Sequence, residues 1–342
     1  MNINNTRIVA AALFATAVPA LAQMPNASQQ VDAIQQRRQL EPTAPWSPDT
    51  NGVPELYAGE SSDLGPQSVL QLKHRRQLIE AFADVQYFYT DNMFLANQGK
   101  QGADVLVSTV QAALAPSPYQ LSDGFLSPRV GYQHQWFAYG LAGSQEVFAQ
   151  IINPPLAKNV GLDYFDFNAQ TFFADVAWSR QHWTFAVGGD FRQLMDSEGY
   201  REFYQEYVPH CSVRRDFATS QNTALSLAYE GDYRLTDSQY VPPATGGNYN
   251  DRTDHSLSLA GSWRLCRHVI LQPSYRFQFT HFTRTDRSDF LHTIGLTLYC
   301  PITDNLTVRA YVAYDNVKTD GAYVQSYQKL DAGGGLNLTV RF

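Results

Sequence analysis

Charged side chains recur at alternate positions within apolar stretches in the second half of the chain. Alternate residues of a β-strand point to the same face of a sheet, so these charges would share one face and the apolar residues the other. A barrel with its apolar face toward lipid would gather the charges in its interior. The arginines are Arg192, Arg214, Arg234, Arg264, Arg276 and Arg309, and the carboxylates are Asp190, Glu206, Asp216, Glu230 and Asp232.

Two roles are compatible with such a set of interior charges. Arginines and carboxylates can pair across a narrow interior and close it, because buried charges need partners. Alternatively, the arginines can face a cluster of carboxylates and create a field that selects a charged or sugar-like solute, as rings of side chains do in pores. The sequence leaves both roles open and assigns no single arginine as a ligand.

Enzyme signatures are missing from the sequence. His210 and Ser212 would share one strand face, but no third partner completes a catalytic triad. No G-x-S-x-G, P-loop, dinucleotide or EF-hand motif occurs, and the spacing of Cys and His fits no zinc site. We therefore expect no enzyme activity, no cofactor and no metal. The net charge of −7 argues against nucleic acid as a partner.

The elements that would carry these charges are β-strands. Apolar and polar residues alternate most clearly in 254–265, where Leu257, Leu259 and Trp263 oppose serines and Arg264. Lengths of about 9–11 residues plus their ends suit a tilted strand that crosses the hydrocarbon layer. The candidate strands are 80–91, 103–114, 126–139, 162–178, 181–192, 205–217, 222–235, 254–265, 268–280, 289–300, 304–316 and 329–342.

The connections between these strands alternate in length. Short connections near 179–181, 218–221, 266–267 and 301–303 alternate with long ones at 193–204, 236–253, 281–288 and 317–328. Short turns at one end and long loops at the other are typical of transmembrane barrels. The sequence therefore predicts an all-β fold, a transmembrane antiparallel up-and-down β-barrel of about twelve strands over residues 79–342, with both ends on the periplasmic side.

The N-terminal region divides into two parts. Arg7, the apolar run from Ile8 and the Ala20-Leu-Ala22 site have the pattern of a cleaved signal peptide over residues 1–22, which predicts export. Residues 23–78 are rich in proline, which favours extended chain, although 28–40 could form a short polar helix. This segment is interpreted as a periplasmic leader or as a plug of the lumen.

Three strand segments depart from simple alternation. Strands 103–114 and 126–139 alternate poorly. In 162–178 the apolar residues switch from one parity to the other, which predicts a β-bulge near Phe173 that turns Asp175 inward.

Other local features constrain the fold. Pro209 and Pro273 lie within strands, although proline in a sheet is normally confined to edges or bulges. Segment 141–160 is too long for a simple loop and is expected to form a short helix outside the barrel or in its mouth. The cysteines are expected to be free, because Cys266 and Cys300 would end strands that are separated by a third strand.

Two segments resemble known outer-membrane proteins. The final strand, which ends at Phe342, resembles the C-terminal strand of bacterial outer-membrane barrels, in which the last Phe is part of the signal read by the barrel assembly machinery. Residues 83–114 contain Thr90-Asp-Asn92 and Phe94-Leu95, and they are similar to the opening hairpin of the porin-like β-barrels of Gram-negative bacteria.

This resemblance implies an outer-membrane location, contact with outer-membrane lipid and a porin-like channel for small polar solutes or glycans. Members of that family are associated with envelope or polysaccharide export, which implies a periplasmic or polysaccharide-export partner. The resemblance implies no catalytic residues. The alternatives are a closed structural or assembly barrel that presents surface loops and, less favoured, an outer-membrane enzyme.

Overall fold

The structure is a computed structural model that describes residues 23–39, 78–143, 146–152, 155–238, 247–266, 268–321 and 325–342. It contains one helix, α1 (Gln23–Gln39), a 3-10 turn (Leu162–Phe165) and fifteen strands in this part of the chain. No helix in the described ranges is long and apolar enough to cross a membrane. The strands are β1 (Ile79–Thr90), β2 (Ala103–Leu114), β3 (Tyr119–Leu121), β4 (Gly124–Tyr139), β5 (Glu146–Ile152), β6 (Pro155–Gly161), β7 (Phe167–Arg180), β8 (Trp183–Asp196), β9 (Glu202–Ala218), β10 (Thr223–Ser238), β11 (Arg252–Cys266), β12 (Val269–Phe282), β13 (Arg287–Pro301), β14 (Leu306–Thr319) and β15 (Tyr327–Arg341).

Twelve of the described strands form one closed antiparallel barrel. Each barrel strand pairs with the next one along the chain, and β1 closes the ring by pairing with β15, from Glu80 opposite Arg341 to Thr90 opposite Asp331. The short β3 pairs only with β4, and β5 and β6 form a separate hairpin. The predicted all-β, up-and-down barrel of about twelve strands is therefore confirmed. We call the end that carries Ile79 and Phe342 the terminal end, and the opposite end the loop end.

The outer surface of the barrel is apolar. Outward side chains from all around the ring are exposed, and the exposed fraction reaches 63% for Val187 and 61% for Ile294. A belt of this extent would drive aggregation in water, whereas in lipid it is the stable arrangement. The outer face therefore contacts hydrocarbon, and the barrel spans a membrane.

Aromatic side chains are concentrated toward both edges of this belt. On the loop-end half, the ring centroids of Tyr132 and Phe172 are 4.9 Å apart, and those of Phe191 and Tyr207 are 4.6 Å apart. Near the terminal end, the Arg215 guanidinium lies 4.7 Å from the ring centroid of Trp183, so its charge sits at the interface rather than in hydrocarbon. Such girdles are typical of membrane barrels.

The length contrast between the two ends is smaller than the sequence suggested. Strands β8, β9, β12 and β13 extend further toward the loop end than predicted. The connection between β8 and β9 is therefore only 197–201, and the connection between β12 and β13 is only 283–286. The connections 91–102, 140–166, 239–251 and 320–326 at that end are longer than the turns 181–182 and 219–222 at the terminal end.

The predicted β-bulge near Phe173 is wrong. Strand β7 pairs with β4 and β8 in continuous register, and Phe173 stands opposite Gly131 and Asp190. The apolar parity switches because Phe167 and Phe173 face the interior, whereas later apolar residues of β7 face lipid. Asp175 does point inward, where its carboxylate accepts a hydrogen bond from Arg129 Nη2 at 3.1 Å.

Segment 141–160 also differs from expectation. Instead of a helix it contains the β5–β6 hairpin, which the 3-10 turn connects to β7. Leu162 and Phe165 of that turn are buried in the same apolar cluster as Phe137 and Phe167 of the barrel.

The two strand prolines occupy paired strands rather than edges. Pro209 of β9 stands opposite Gly189, and Pro273 of β12 lies against Gly261 of β11. The atoms nearest to a Cβ added at either glycine are 3.8 Å or more away, so neither glycine is required to make room for a proline ring. All three cysteines are free, as predicted.

Candidate pore interior

Helix α1 lies inside the barrel. Its apolar residues Ala27, Val31 and Ile34 recur at intervals of four and three, so they form one stripe along the helix. This stripe packs in a single buried cluster with inward side chains of the barrel wall. Full burial of side chains such as Val31 and Ile34 contributes about 1.5–3 kcal/mol each. The wall residues of this cluster are Phe88, Ala103, Val105, Val107, Phe137, Tyr139, Phe167, Ala169, Leu194, Tyr204 and Tyr311.

The helix runs along the barrel axis. In its N-terminal half, Gln30 accepts a hydrogen bond from the Tyr139 hydroxyl, and Gln29 accepts one from Tyr327 at 3.2 Å; both tyrosines lie at the loop end. Toward its C-terminus, Arg38 donates to Gln133 at 2.6 Å and its guanidinium stacks 3.9 Å from the Phe82 ring centroid, nearer the terminal end. Seventeen residues of α-helix span about 25 Å, close to the thickness of the hydrocarbon layer.

Asp32 anchors the helix to one wall. Its carboxylate accepts hydrogen bonds from Arg192 Nη1 at 2.8 Å and from Arg234 Nη1 at 2.8 Å, and Arg252 approaches to 3.7 Å. Glu206 accepts a hydrogen bond from the same Arg192 Nη1 atom at 2.6 Å. The side chains of Arg192 and Glu206 are 2% and 0% exposed, so this is an ion-pair network without bulk solvent.

The same network extends over further carboxylates of the wall. Arg234 Nε lies 3.2 Å from Asp232 and 2.9 Å from Asp254, and Arg252 lies 3.1 Å from Asp254. Removing one member of such a network leaves an unpaired buried charge, which is strongly destabilising. The network therefore fixes both the wall and the helix that supplies Asp32.

Arg37 anchors the helix to the opposite side. Its guanidinium donates to Asp331 at 2.5 Å and to the Tyr311 hydroxyl at 2.8 Å. Asp331 is also held by Lys329 at 3.0 Å, and Lys329 reaches Asp315 at 3.3 Å. The helix thus contacts β8, β10 and β11 through Asp32 and β14 and β15 through Arg37.

Between these two anchors a cavity of about 130 Å³ remains in front of β12 and β13. The polar face of α1 forms one side of it, and inward residues of the barrel form the other. Small inward residues, such as Ser274 and Gly295, leave this space open. The lining is rich in amides and hydroxyls, from Gln29, Gln36, Gln272, Ser274, Gln278, Thr280, Thr293 and Thr297.

The structure distributes the predicted interior charges among separate groups. Arg192, Arg234, Glu206 and Asp232 belong to the Asp32 network. Arg214 pairs with Asp216 at 3.0 Å, and Arg309 donates to both oxygens of Asp84 at 2.8 Å. Glu230 accepts a hydrogen bond from Gln39 of α1 at 3.4 Å.

The other predicted residues lie elsewhere, on the barrel strands or directly after the last one. Asp190 is half-buried on the inner face of β8, and Arg264 lies toward the terminal end of β11. Arg276 lines the cavity. Phe342 follows β15 with 64% of its surface exposed, and its backbone N–H donates to the carbonyl of Ile79 at 2.9 Å.

Several interior charges were missed from the sequence. Asp32, Arg37 and Arg38 lie in the N-terminal segment, and their only sequence signal was the predicted polar helix. Asp84 and Arg252 lie on strands at inward parity, so the alternation pattern could have found them. His210 and Ser212 are not joined by a hydrogen bond in the described part of the chain; the nearest polar contact of His210 Nδ1 is the carbonyl of Val208 at 3.3 Å.

Asp166 at the loop end makes stability depend on pH. Its Oδ1 accepts a hydrogen bond from the Tyr139 N–H at 2.8 Å. Burial raises the pKa of Asp166 to about 6, Asp163 adds to the rise, and the hydrogen bond partly opposes it. Because this pKa exceeds that of an unfolded Asp, about 3.9, the folded barrel gains stability as the pH falls from above 6 toward 4.

We expect Asp166→Asn to raise the free energy of unfolding at pH 8, by no more than about 1 kcal/mol after allowance for partial solvent exposure. At pH 4 the substitution should have little effect, because the carboxyl is then already protonated. Urea unfolding of both proteins at the two pH values checks this, and an equal effect at both would contradict it.

No protein-family model matches the chain, and no curated protein matches it. Solved membrane barrels show a similar outline at low identity. The translocator domain of the autotransporter NalP from Neisseria meningitidis is 13% identical, covers 91% of this chain and 97% of its own, and has a TM-score of 0.39. An outer membrane channel from Pseudomonas putida F1 is 9% identical, with coverages of 78% and 96% and a TM-score of 0.47.

A third structure, the KdgM porin in complex with disordered oligogalacturonate, is 10% identical, covers 75% of this chain and 98% of its own, and has a TM-score of 0.37. At these identities the likeness concerns the fold alone. The closed ring, the apolar belt and the polar interior define the chain as a transmembrane antiparallel β-barrel with the porin-like architecture that the sequence resemblance implied.

Proposed function

We propose that this protein is an outer-membrane, porin-like channel for small polar solutes or glycans, and that α1 acts as a plug that narrows its lumen. The observation that carries the proposal is the placement of α1. It is anchored on both sides by Asp32 and Arg37, yet it leaves a polar cavity in front of β12 and β13.

The lining of this cavity favours hydroxylated solutes. Amide and hydroxyl groups such as those of Gln272, Gln278 and Thr293 can both donate and accept hydrogen bonds, which matches the alternating donors and acceptors of a sugar. A wall meant only to close the barrel could be apolar, as the wall behind α1 is. The two halves of the lumen therefore differ in the way expected of a plug on one side and a path on the other.

The location and the partners form part of this proposal. Export by a signal peptide over 1–22 lies outside the described residues. We propose that the barrel assembly machinery reads Phe342 at the end of β15; its exposure is compatible with this role. A periplasmic or polysaccharide-export partner would meet the terminal end, toward which α1 directs its C-terminus.

Single-channel conductance of the refolded barrel in a planar bilayer tests the proposal. We expect the full chain to show small or infrequent steps, and a variant lacking residues 23–39 to show steps several-fold larger. The double substitution Asp32→Asn/Arg37→Gln should increase the frequency of large steps, because it weakens both anchors while retaining the helix. The preference of the channel for cations or anions should weaken as the salt concentration rises, because salt screens the interior charges.

The matched control is Glu198→Gln/Arg201→Gln, which removes the same two charges from an exposed loop-end connection. It should conduct like the unmodified protein. If the deletion variant is folded and still silent, the channel proposal is contradicted.

A second candidate is a closed structural barrel without enzyme activity. The ion-pair network around Asp32, Arg192 and Arg234 favours it, because it neutralises charges that a selective pore would otherwise present to a solute. Silence of both the full chain and the deletion variant is the result that this candidate predicts.

A further inference from the structure

Arg276 is a cation beside the cavity to which the described residues offer no ion-pair partner. It lies at the middle of β12 with 7% of its surface exposed, and it lines the cavity in front of β12 and β13. Its Nη2 donates to Gln278 Oε1 at 2.8 Å, but its buried Nη1 has no hydrogen-bond acceptor in the described part of the chain. Among the same residues it takes part in no ion pair within 4.0 Å. A buried charge in this state is costly unless something else compensates it.

The other cavity charges are compensated. Arg252 pairs with Asp254 at 3.1 Å, Asp315 with Lys329 at 3.3 Å, and Asp289 pairs with Arg287. Asp32 and Arg37 are held by the two anchors described above. Glu230 on β10 acts on Arg276 only from beyond ion-pair distance, with Ser256 and Ser258 of β11 between the two strands. As far as the described lining residues go, the cavity therefore presents one net positive centre.

The surroundings of Arg276 suit a hydroxylated ligand. Ser274, Thr293 and Thr297 offer hydroxyls, Gln272 offers an amide, and Tyr299 offers an aromatic surface in the same cavity. A volume of about 130 Å³ has room for about ten water molecules, which is comparable with the twelve or so heavy atoms of one sugar ring. A guanidinium forms its strongest hydrogen bonds with carboxylates and phosphates.

We propose that Arg276 binds the carboxylate of a sugar acid, such as a hexuronate, in the cavity between α1 and β12–β13. This site deepens the proposed channel function by naming the class of its solute, and it rests on that function only for its role in transport. The carboxylate supplies the hydrogen-bond acceptor that Nη1 lacks, while the amides and hydroxyls of the cavity contact the ring hydroxyls.

Equilibrium binding to the refolded full chain in detergent micelles tests the site without requiring conduction. The probes are D-glucuronate, D-glucose as its uncharged counterpart, and inorganic phosphate, each titrated by calorimetry. We expect glucuronate to bind at least about tenfold more tightly than glucose. Arg276→Gln should weaken glucuronate binding about tenfold to a hundredfold, and Arg276→Lys should restore part of it.

Arg276→Gln is expected to fold, because it removes an unpaired buried charge; heat modifiability on gels verifies this. The control is Arg201→Gln, which removes the same charge from a side chain that is 82% exposed. This variant should bind glucuronate like the unmodified protein. Absence of glucuronate binding, equal binding of glucose, or unchanged binding by Arg276→Gln would each overturn the site. Phosphate binding as tight as that of glucuronate would overturn the assignment to sugar acids. Binding with a silent bilayer would instead contradict the channel proposal alone.

Discussion

Replacing Arg192 with methionine is expected to lower the free energy of unfolding of the barrel by about 3 kcal/mol. Arg192 is 2% exposed and holds Asp32 of α1 and Glu206 of β9 with the same Nη1 atom, at 2.8 and 2.6 Å. Without it, two carboxylates remain in the interior with less compensation. The cost should stay at the low end of the 3–5 kcal/mol range for broken buried pairs, because Arg234 still contacts both carboxylates.

Urea unfolding in lipid vesicles, followed by tryptophan fluorescence, measures this effect. The control is Arg201→Met, which removes an exposed partner of Asp196 near the end of β8 and should cost less than about 1 kcal/mol. The double variant Arg192→Met/Glu206→Gln should recover part of the loss, since it removes one of the orphaned charges. Equal effects of Arg192→Met and Arg201→Met would show that the interior network does not hold the helix and the wall together.

The barrel could be predicted from the sequence because alternation is a local property. Strand 103–114 has the same limits in the structure as in the prediction, and the inward and outward parities of β11 to β15 follow directly from their residues. Local pattern is sufficient where one face contacts lipid and the other contacts polar groups.

The position of α1 could not be predicted in the same way, because it depends on contacts between residues far apart in the chain. The strands that alternate poorly were nevertheless a trace of it. In β2, Val105 and Val107 face inward and are fully buried against the helix cluster, so both faces of the strand are apolar. The parity switch in β7 has the same origin, because Phe167 faces the helix cluster. Interrupted alternation in a barrel strand can thus indicate a lumen that is occupied.

Among the described residues, the interior arginines divide into those that pair with carboxylates and one, Arg276, that does not; the solute-binding role is assigned to Arg276 only as our proposal. Arg192, Arg234 and Arg309 are locked to carboxylates, as expected of charges that close a barrel. Arg276 is the exception on the cavity wall. The sequence places all four at equivalent inward positions, and only the three-dimensional pairing separates them.

The substitution Gly333→Ala is expected to weaken the seam that closes the barrel. Gly333 lies on the inner face of β15 opposite Phe88 of β1, and a Cβ atom there would overlap the Cβ of Phe88 and the carbonyl oxygen of Tyr87. The carbonyl belongs to the β1–β15 ladder and cannot move without loosening it. We expect the free energy of unfolding to fall by about 1–3 kcal/mol or more, the usual cost of overpacking.

Gly189→Ala is the matched control for this seam. Gly189 also lies within a barrel strand, but the atoms nearest to an added Cβ are 3.9 Å away, so the methyl group fits without displacement. The unfolded chain loses backbone freedom in both variants, and at Gly189 this should be neutral or stabilise by up to about 1 kcal/mol. Urea unfolding in vesicles should therefore shift in opposite directions for the two alanines, or leave Gly189→Ala unchanged. If both substitutions change the free energy of unfolding alike, the close approach of β1 to β15 at Gly333 does not make this seam sensitive to an added Cβ atom. A loss of stability in Gly333→Ala alone would show that the seam between the first and last strands is more sensitive to an added methyl group than the β8 position of Gly189.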